Sequence, residues 1–119
     1  MQYRIITGAS LALSLALIAA AAFAHHGWEG YDASKTLKLT GQLEAPAYEN
    51  PHATTTLKTA DATWNVVLAP PSRMMSRGLT REMLTAGATA TVEGYPHRSN
   101  EGELRAERIT INGKTVELR

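Results

Sequence analysis

Leu104-Arg105-Ala106-Glu107-Arg108-Ile109-Thr110-Ile111-Asn112-Gly113-Lys114-Thr115-Val116-Glu117-Leu118 carries the clearest architectural signal in the chain. Asn112-Gly113 between alternating apolar residues signals a two-residue type I′ turn, because both central positions need positive φ. That turn sets the register: Ile109 faces Val116, and Ile111, Lys114 and Leu118 fall on the same side. Upstream, the apolar parity shifts between Ala106 and Ile109. A shift of that kind needs one extra residue in the strand, a β-bulge.

The segments before it alternate in the same way. Gly87 releases the chain into Ala88, Ala90 and Val92, opposed by Thr91, Glu93, Tyr95 and His97, a fourth strand. Before that, Pro70-Pro71 breaks the chain, Ser72 caps a short helix through Arg77, and Gly78 stops it. A second helical turn is expected with Thr80 as its cap and Leu79 and Leu84 as a hydrophobic staple. Thr54 to Thr59 is β-branched and strand-prone, and Asp61-Ala62 turns it into a strand whose Trp64, Val66 and Leu68 share a face. Leu37, Leu39 and Leu43 mark the first strand, with Thr36, Lys38, Thr40 and Gln42 on its polar side. The reading is all-β: a small five- to six-stranded OB-like barrel with a short helical connection between strands 3 and 4. Closure is the economical way to remove exposed sheet edges. A small open β-sandwich is the alternative, since periodicity does not report closure.

At the N-terminus, Arg4 precedes an uncharged stretch from Ile5 to Ala24 that ends Ala22-Phe23-Ala24. This is the pattern of a secretory signal peptide. The stretch is long enough to span a bilayer, but Thr7, Gly8, Ser10 and Ser14 make its transfer to lipid weakly favourable. Cleavage after Ala24 is therefore expected, giving a periplasmic protein that does not span the membrane. The expected organisation is a signal peptide over 1–24, an N-terminal arm over 25–35 and the barrel over 36–119. The chain has no cysteine, which excludes disulfides, thiol nucleophiles and acylation of a cysteine at the cleavage site. Of 12 Lys+Arg and 11 Asp+Glu, only Arg4 is lost with residues 1–24, leaving 11 of each. A neutral chain without a basic stripe argues against nucleic acid as partner.

The residues that point to chemistry are histidines. All four follow Ala24: His25, His26, His52 and His97. Cleavage after Ala24 would give His25 a free amine, which with its own ring Nδ1 chelates one ion, and amine and imidazole nitrogens suit Cu(II). His52 follows Asn50-Pro51 and His97 follows Tyr95-Pro96, both at strand ends where an arm could meet them. The competing reading has His52 or His97 bonding a turn carbonyl through a ring N–H, and a terminal pair that is incidental. Met74, Met75 and Met83 read as core filler before copper ligands, and Trp64 as core. Glu101/Glu103 and Arg105/Glu107/Arg108 read as a solvated hairpin face. No Ser, His and Asp arrangement with a nucleophile turn is present, so no enzyme is expected.

Four stretches together resemble a known family: His25-His26-Gly27-Trp28, Asn50-Pro51-His52-Ala53, Trp64-Asn65-Val66-Val67-Leu68-Ala69-Pro70-Pro71, and Gly94-Tyr95-Pro96-His97. They are similar to an uncharacterised bacterial family of small exported proteins, number 6152 in the domain-of-unknown-function series. The resemblance covers nearly all of the chain after Ala24 and implies an envelope location and an OB-like domain. It implies no activity, and it carries over His25, His26, His52 and His97 as candidate ligands by residue type. Small exported copper carriers with OB folds are similar in architecture, but their Met-rich strand motif is missing here. The expected function is thus metal binding, copper foremost, through these histidines. The alternative is a periplasmic accessory domain that binds a peptide, glycan or protein partner without metal, on a face bearing Thr54, Thr56 and Lys58 or Tyr95. The sequence leaves the oligomeric state open.

Overall fold

The computed structural model describes residues 27–119. The signal segment, His25 and His26 lie outside the described residues. Two compact units divide between Gly30 and Tyr31. Of the first, Gly27, Trp28 and Glu29 carry helical backbone. The second contains β1 (Leu37–Ala47), β2 (Thr54–Lys58), β3 (Thr63–Val67), α1 (Pro71–Ser76), β4 (Thr89–Pro96), β5 (Glu103–Ile111) and β6 (Lys114–Glu117).

The hairpin forms as its sequence requires. Ile109 pairs with Val116 and Ile111 with Lys114, around Asn112 at φ 53° and Gly113 at φ 75°. The bulge is Glu107: Arg108 pairs with Glu93 and Ala106 with Gly94, so one residue of β5 is left over. Its carbonyl accepts the Leu118 N–H at 2.7 Å, which keeps the extra backbone group bonded.

The strands run in the order β3-β2-β1-β4-β5-β6, and a parallel pairing of β3 with β5 closes five of them into a barrel. Asn65, Val66 and Val67 lie beside Glu103, Leu104 and Arg105 at that seam. β6 is added outside the closure, so the barrel has the OB-like form and the open sandwich is excluded. Tight coiling needs glycine where strands cross closely. A Cβ on Gly94 would stand 2.1 Å from the Arg105 carbonyl oxygen, and one on Gly41 2.2 Å from that of Lys58.

Alternation then fills the interior. Leu43, Leu57, Val66, Val92, Leu104 and Ile109 are fully or almost fully buried, each contributing roughly 1.5–3 kcal/mol of transfer free energy. Trp64 is partly buried against this core.

The connection between β3 and β4 closes one end of the barrel and departs from expectation in two places. Ser72 does not cap α1: Pro70 is the cap residue, without a side-chain bond, and the helix begins at Pro71. Proline's fixed φ suits the first helical position, so the helix starts one residue before Ser72. Gly78, at φ 89°, ends it as expected. The second helical turn is only a pair of i→i+3 bonds, Met83 N–H to Thr80 O and Leu84 N–H to Arg81 O, both 3.2 Å. So short a segment cannot offset the cost of helix nucleation, yet Leu79 and Leu84 still reach the core. Met74 is buried and Met83 packs against the core, whereas Met75 is 52% exposed. Tyr48 lies beneath this segment, its hydroxyl donating to Leu79 O at 2.8 Å and its ring under the Arg81 guanidinium.

Candidate functional site

The outer surface of β2, β3 and β5 is ordered by register. Thr54, Val67 and Arg105 form one row across the three strands, and Thr56, Asn65 and Glu103 the next. Thr55, Val66 and Leu104 between the rows are buried, which turns both rows outward. On the far side of β2, the pairing of β1 shifts between Glu44 and Ala47, and Ala45 adopts φ 43°. Thr55 Oγ1 donates to Glu44 O at 3.0 Å and stabilises that irregular backbone. The shift helps shape a shallow hollow of about 370 Å³ bordered by Ala45, Thr54, Thr56, Asn65, Val67 and Glu103. Its walls offer hydroxyls, one amide, short aliphatic groups and one carboxylate, and no aromatic ring lines it. Such a surface suits hydrogen bonding to an extended neutral chain rather than stacking.

Glu103 belongs to a second cluster at the seam. Its Oε2 accepts the Tyr31 hydroxyl at 2.5 Å and its Oε1 accepts Asn100 Nδ2 at 3.4 Å. Tyr31 reaches this corner because residues 31 and 97 form a β-bridge and Asp32 N–H donates to Pro96 O at 2.9 Å. Burial, then the bond to Glu103 and its negative charge, push the Tyr31 hydroxyl up to about 12. The His97 ring stands edge-on to Tyr31, 5.0 Å between centroids. Its Nδ1 accepts the backbone N–H groups of Ser99 and Asn100 at 3.1 and 2.9 Å. Nδ1 thus serves as an acceptor, and the other ring nitrogen, Nε2, stands 3.9 Å from Glu103 Oε2.

At the other end of the seam lies positive charge. Arg105, expected on a solvated face, is 6% exposed. Burial pulls its guanidinium below the ordinary arginine range, and Tyr31 partly offsets this. The expectation failed because alternation along β5 states only that Arg105 points away from the barrel interior. What packs over that position is tertiary information. His52 precedes β2, after a cis Asn50–Pro51 bond, and the bonds from Ala53 N–H to Ala69 O and from Leu68 N–H to Ala53 O hold the backbone beside it. Partial burial, then the charges of Arg105 and Arg73, lower the His52 pKa and favour the neutral ring. No hydrogen bond joins that ring to another described residue.

Of the four histidines singled out by sequence, the structure therefore describes two, at different ends of the seam. His97 neighbours Glu103, and His52 is influenced by Arg105 and Arg73. His97 binds its own turn, but through a ring lone pair that accepts backbone N–H groups, whereas the competing reading had its ring N–H donating to a turn carbonyl. No group of three or more His, Asp or Glu gathers in a metal-holding arrangement among the described residues. Thr54 and Thr56 line the hollow as their outward parity suggested, while the Tyr95 hydroxyl donates to Glu107. Tyr31, Glu103 and Arg105 were not legible as a cluster. Tyr31 lies in the lead-in segment and the others read as surface charge, with no local spacing to join them.

Fold and site together define a small closed OB-like barrel with a polar hollow on the face of β2 and β3, and no helix among the described residues long and apolar enough to cross a membrane. The chain belongs to the Family of unknown function (DUF6152), whose model matches residues 12–105. No curated protein matches it. Among solved structures, it is similar to TiaS in a complex with tRNA and ATP, at 18% identity and TM-score 0.51, covering 75% of this chain and 20% of that one. It is also similar to a ZRD-deleted mutant of TiaS in complex with agmatine, at 16% identity and TM-score 0.53, covering 73% and 27%. The chain thus spans about a quarter or less of those proteins' lengths, and the likeness is one of fold.

Proposed function

We propose that this chain is an exported, non-catalytic binding domain whose hollow on β2 and β3 receives an extended peptide segment. The observation that carries this reading is the row Thr56-Asn65-Glu103 beside Thr54-Val67. It presents the Thr54 and Thr56 hydroxyls, the Asn65 amide and the Glu103 carboxylate across three registered strands, with short aliphatic groups between them and no aromatic platform for a sugar. Peptide backbone needs such alternating partners. Export rests on the charge of Arg4, the uncharged run from Ile5 and the small residues Ala22 and Ala24. A pool of N-acetylated tetrapeptides titrated into isotopically labelled protein tests the reading by NMR. Shifts are expected at Thr54, Thr56, Asn65 and Val67, and Asn65→Arg should abolish them. Absence of shifts there, or binding that survives Asn65→Arg, refutes it.

A second reading is favoured by a separate observation, the adjacent His25 and His26 at the expected cleavage point. Released after Ala24, the His25 amine, its ring and the His26 ring would offer three nitrogens to Cu(II). Intact mass of the secreted protein with and without Cu(II) reports cleavage and ligand together. Retention of residues 1–24, or copper binding undiminished in a His26→Ala variant, overturns this reading. The same titration on His52→Ala and His97→Ala variants reports whether either ring contributes.

A further inference from the structure

Away from the hollow, the outer face of β1, β4, β5 and β6 carries two registered rows. Lys38 pairs with Glu93, Glu93 with Arg108 and Arg108 with Glu117, one residue from each strand. Two positions along, Thr40, Thr91, Thr110 and Thr115 are matched in the same way. Val92, Ile109 and Val116 between the rows are buried, which turns both rows outward. Within the charged row, Arg108 lies 3.5 Å from Glu93 and 3.0 Å from Glu117. Within the other, the hydroxyls of Thr40 and Thr91 bond at 2.9 Å and those of Thr110 and Thr115 at 2.8 Å. β6 lies outside the barrel closure, so it widens this face to four strands.

We propose that this face is the interface of a symmetric dimer, its occupant a second copy of this chain. The order of charge carries the argument. From β1 to β6 the row reads positive, negative, positive, negative, so reversing it exchanges every sign. A twofold axis along the strands, between β4 and β5, reverses the order as it brings two copies face to face. Lys38 then meets the partner's Glu117, and Glu93 meets the partner's Arg108, at every one of the four positions an opposite charge. A row ordered positive, negative, negative, positive would instead set like charge on like. The same axis lays one threonine row on the other, and these β-branched side chains lose little rotamer freedom there. Strands of the two sheets stay aligned, as in packed β-sandwiches. Such an interface is isologous, each contact occurring twice. The pairs within each chain persist, because a guanidinium has five N–H donors and Arg108 can hold its two neighbours and a third carboxylate. Both ends of the row are exposed, Glu117 at 59% of its side chain, so the contact is weak and sensitive to salt. None of these residues borders the hollow, so the dimer stands independently of the peptide reading.

Sedimentation equilibrium of the purified protein tests this at about 0.01 M salt, where the Debye length is about 30 Å, and again at about 1 M, where it is about 3 Å. A reversible dimer is expected at low salt and its dissociation at high salt. Lys38→Glu alone sets carboxylate on carboxylate at both ends of the row, and Glu117→Lys alone sets ammonium on ammonium. Each should weaken the dimer about tenfold or more. Mixed in equal amounts, the two variants are complementary at both ends, so a heterodimer of near-parental affinity should form. Each variant carries the same change within its own chain whether alone or mixed, so recovery reports the contact between copies. A protein that stays monomeric at low salt overturns the proposal. So does a dimer that neither variant weakens, or a mixture that associates no more tightly than its components.

Discussion

The bond from Tyr31 to Glu103 ties residues before β1 to the seam of the barrel, and Tyr31→Phe isolates it. The substitution deletes one hydroxyl and keeps the ring that meets His97 edge-on. A hydrogen bond to a charged acceptor contributes about 1.5–3 kcal/mol. Tyr31 is only partly buried, and Glu103 can regain water once the hydroxyl is gone, so the expected loss is nearer 1 kcal/mol. The displacement of its pKa from 10.0 to about 12 corresponds to about 2.7 kcal/mol before solvent screening, and the same discount brings it to a similar size. The sign follows from the acid form. The folded state raises the pKa, so the contribution is complete below the unfolded value of 10.0 and is lost as pH rises towards 12. Urea unfolding of both proteins should differ by about 1 kcal/mol near pH 8, and the difference should shrink by about pH 11. A difference within the ~0.5 kcal/mol typical of surface substitutions, or one that stays constant into alkaline solution, would refute the coupling of Tyr31 to Glu103.

Three further perturbations test the fold and the site. Gly94→Ala should destabilise by several times the ~1 kcal/mol of an ordinary glycine substitution, because its Cβ would meet backbone atoms of Arg105 and Ala106 at 2.1 and 2.9 Å. Gly41→Ala, with a comparable approach to Lys58, should behave alike in thermal unfolding. Leu104→Ala, at a fully buried position on the seam, should cost about 2–5 kcal/mol in chemical denaturation, and a smaller loss would mean that the seam relaxes around the cavity. His52→Gln should remove a pH dependence. The folded state lowers the His52 pKa, so its contribution is complete above about 6.5 and declines as pH falls below it, and a variant with the same acid slope as the parent would contradict that.

The two ends of the seam show why some of this was readable and some was not. Asn112-Gly113 and the parity shift around Glu107 are local signals, each expressing backbone geometry within a few residues, and both appear where the pattern places them. The helical connection was legible as a breaker-rich segment between strands. Its exact start depended on Pro71, and its second turn on a nucleation balance that caps alone do not decide. Arg105 had no such signal. Its neighbours Leu104 and Ala106 are buried because they point inward, and Arg105 points away from the core yet is also covered.

The strand faces, the hairpin register and the bulge follow from the sequence, since each is a property of neighbouring residues or of one backbone conformation, whereas the close crossings at Gly41 and Gly94 emerged only with the barrel. The sequence also set the composition limits: no cysteine and a balanced charge. Tertiary structure alone decided that β3 meets β5 in parallel, and therefore that Asn65 lies beside Glu103 and Val67 beside Arg105. Those partners stand more than 30 residues apart in the chain, and no local propensity reports a pairing that only closure of the barrel creates.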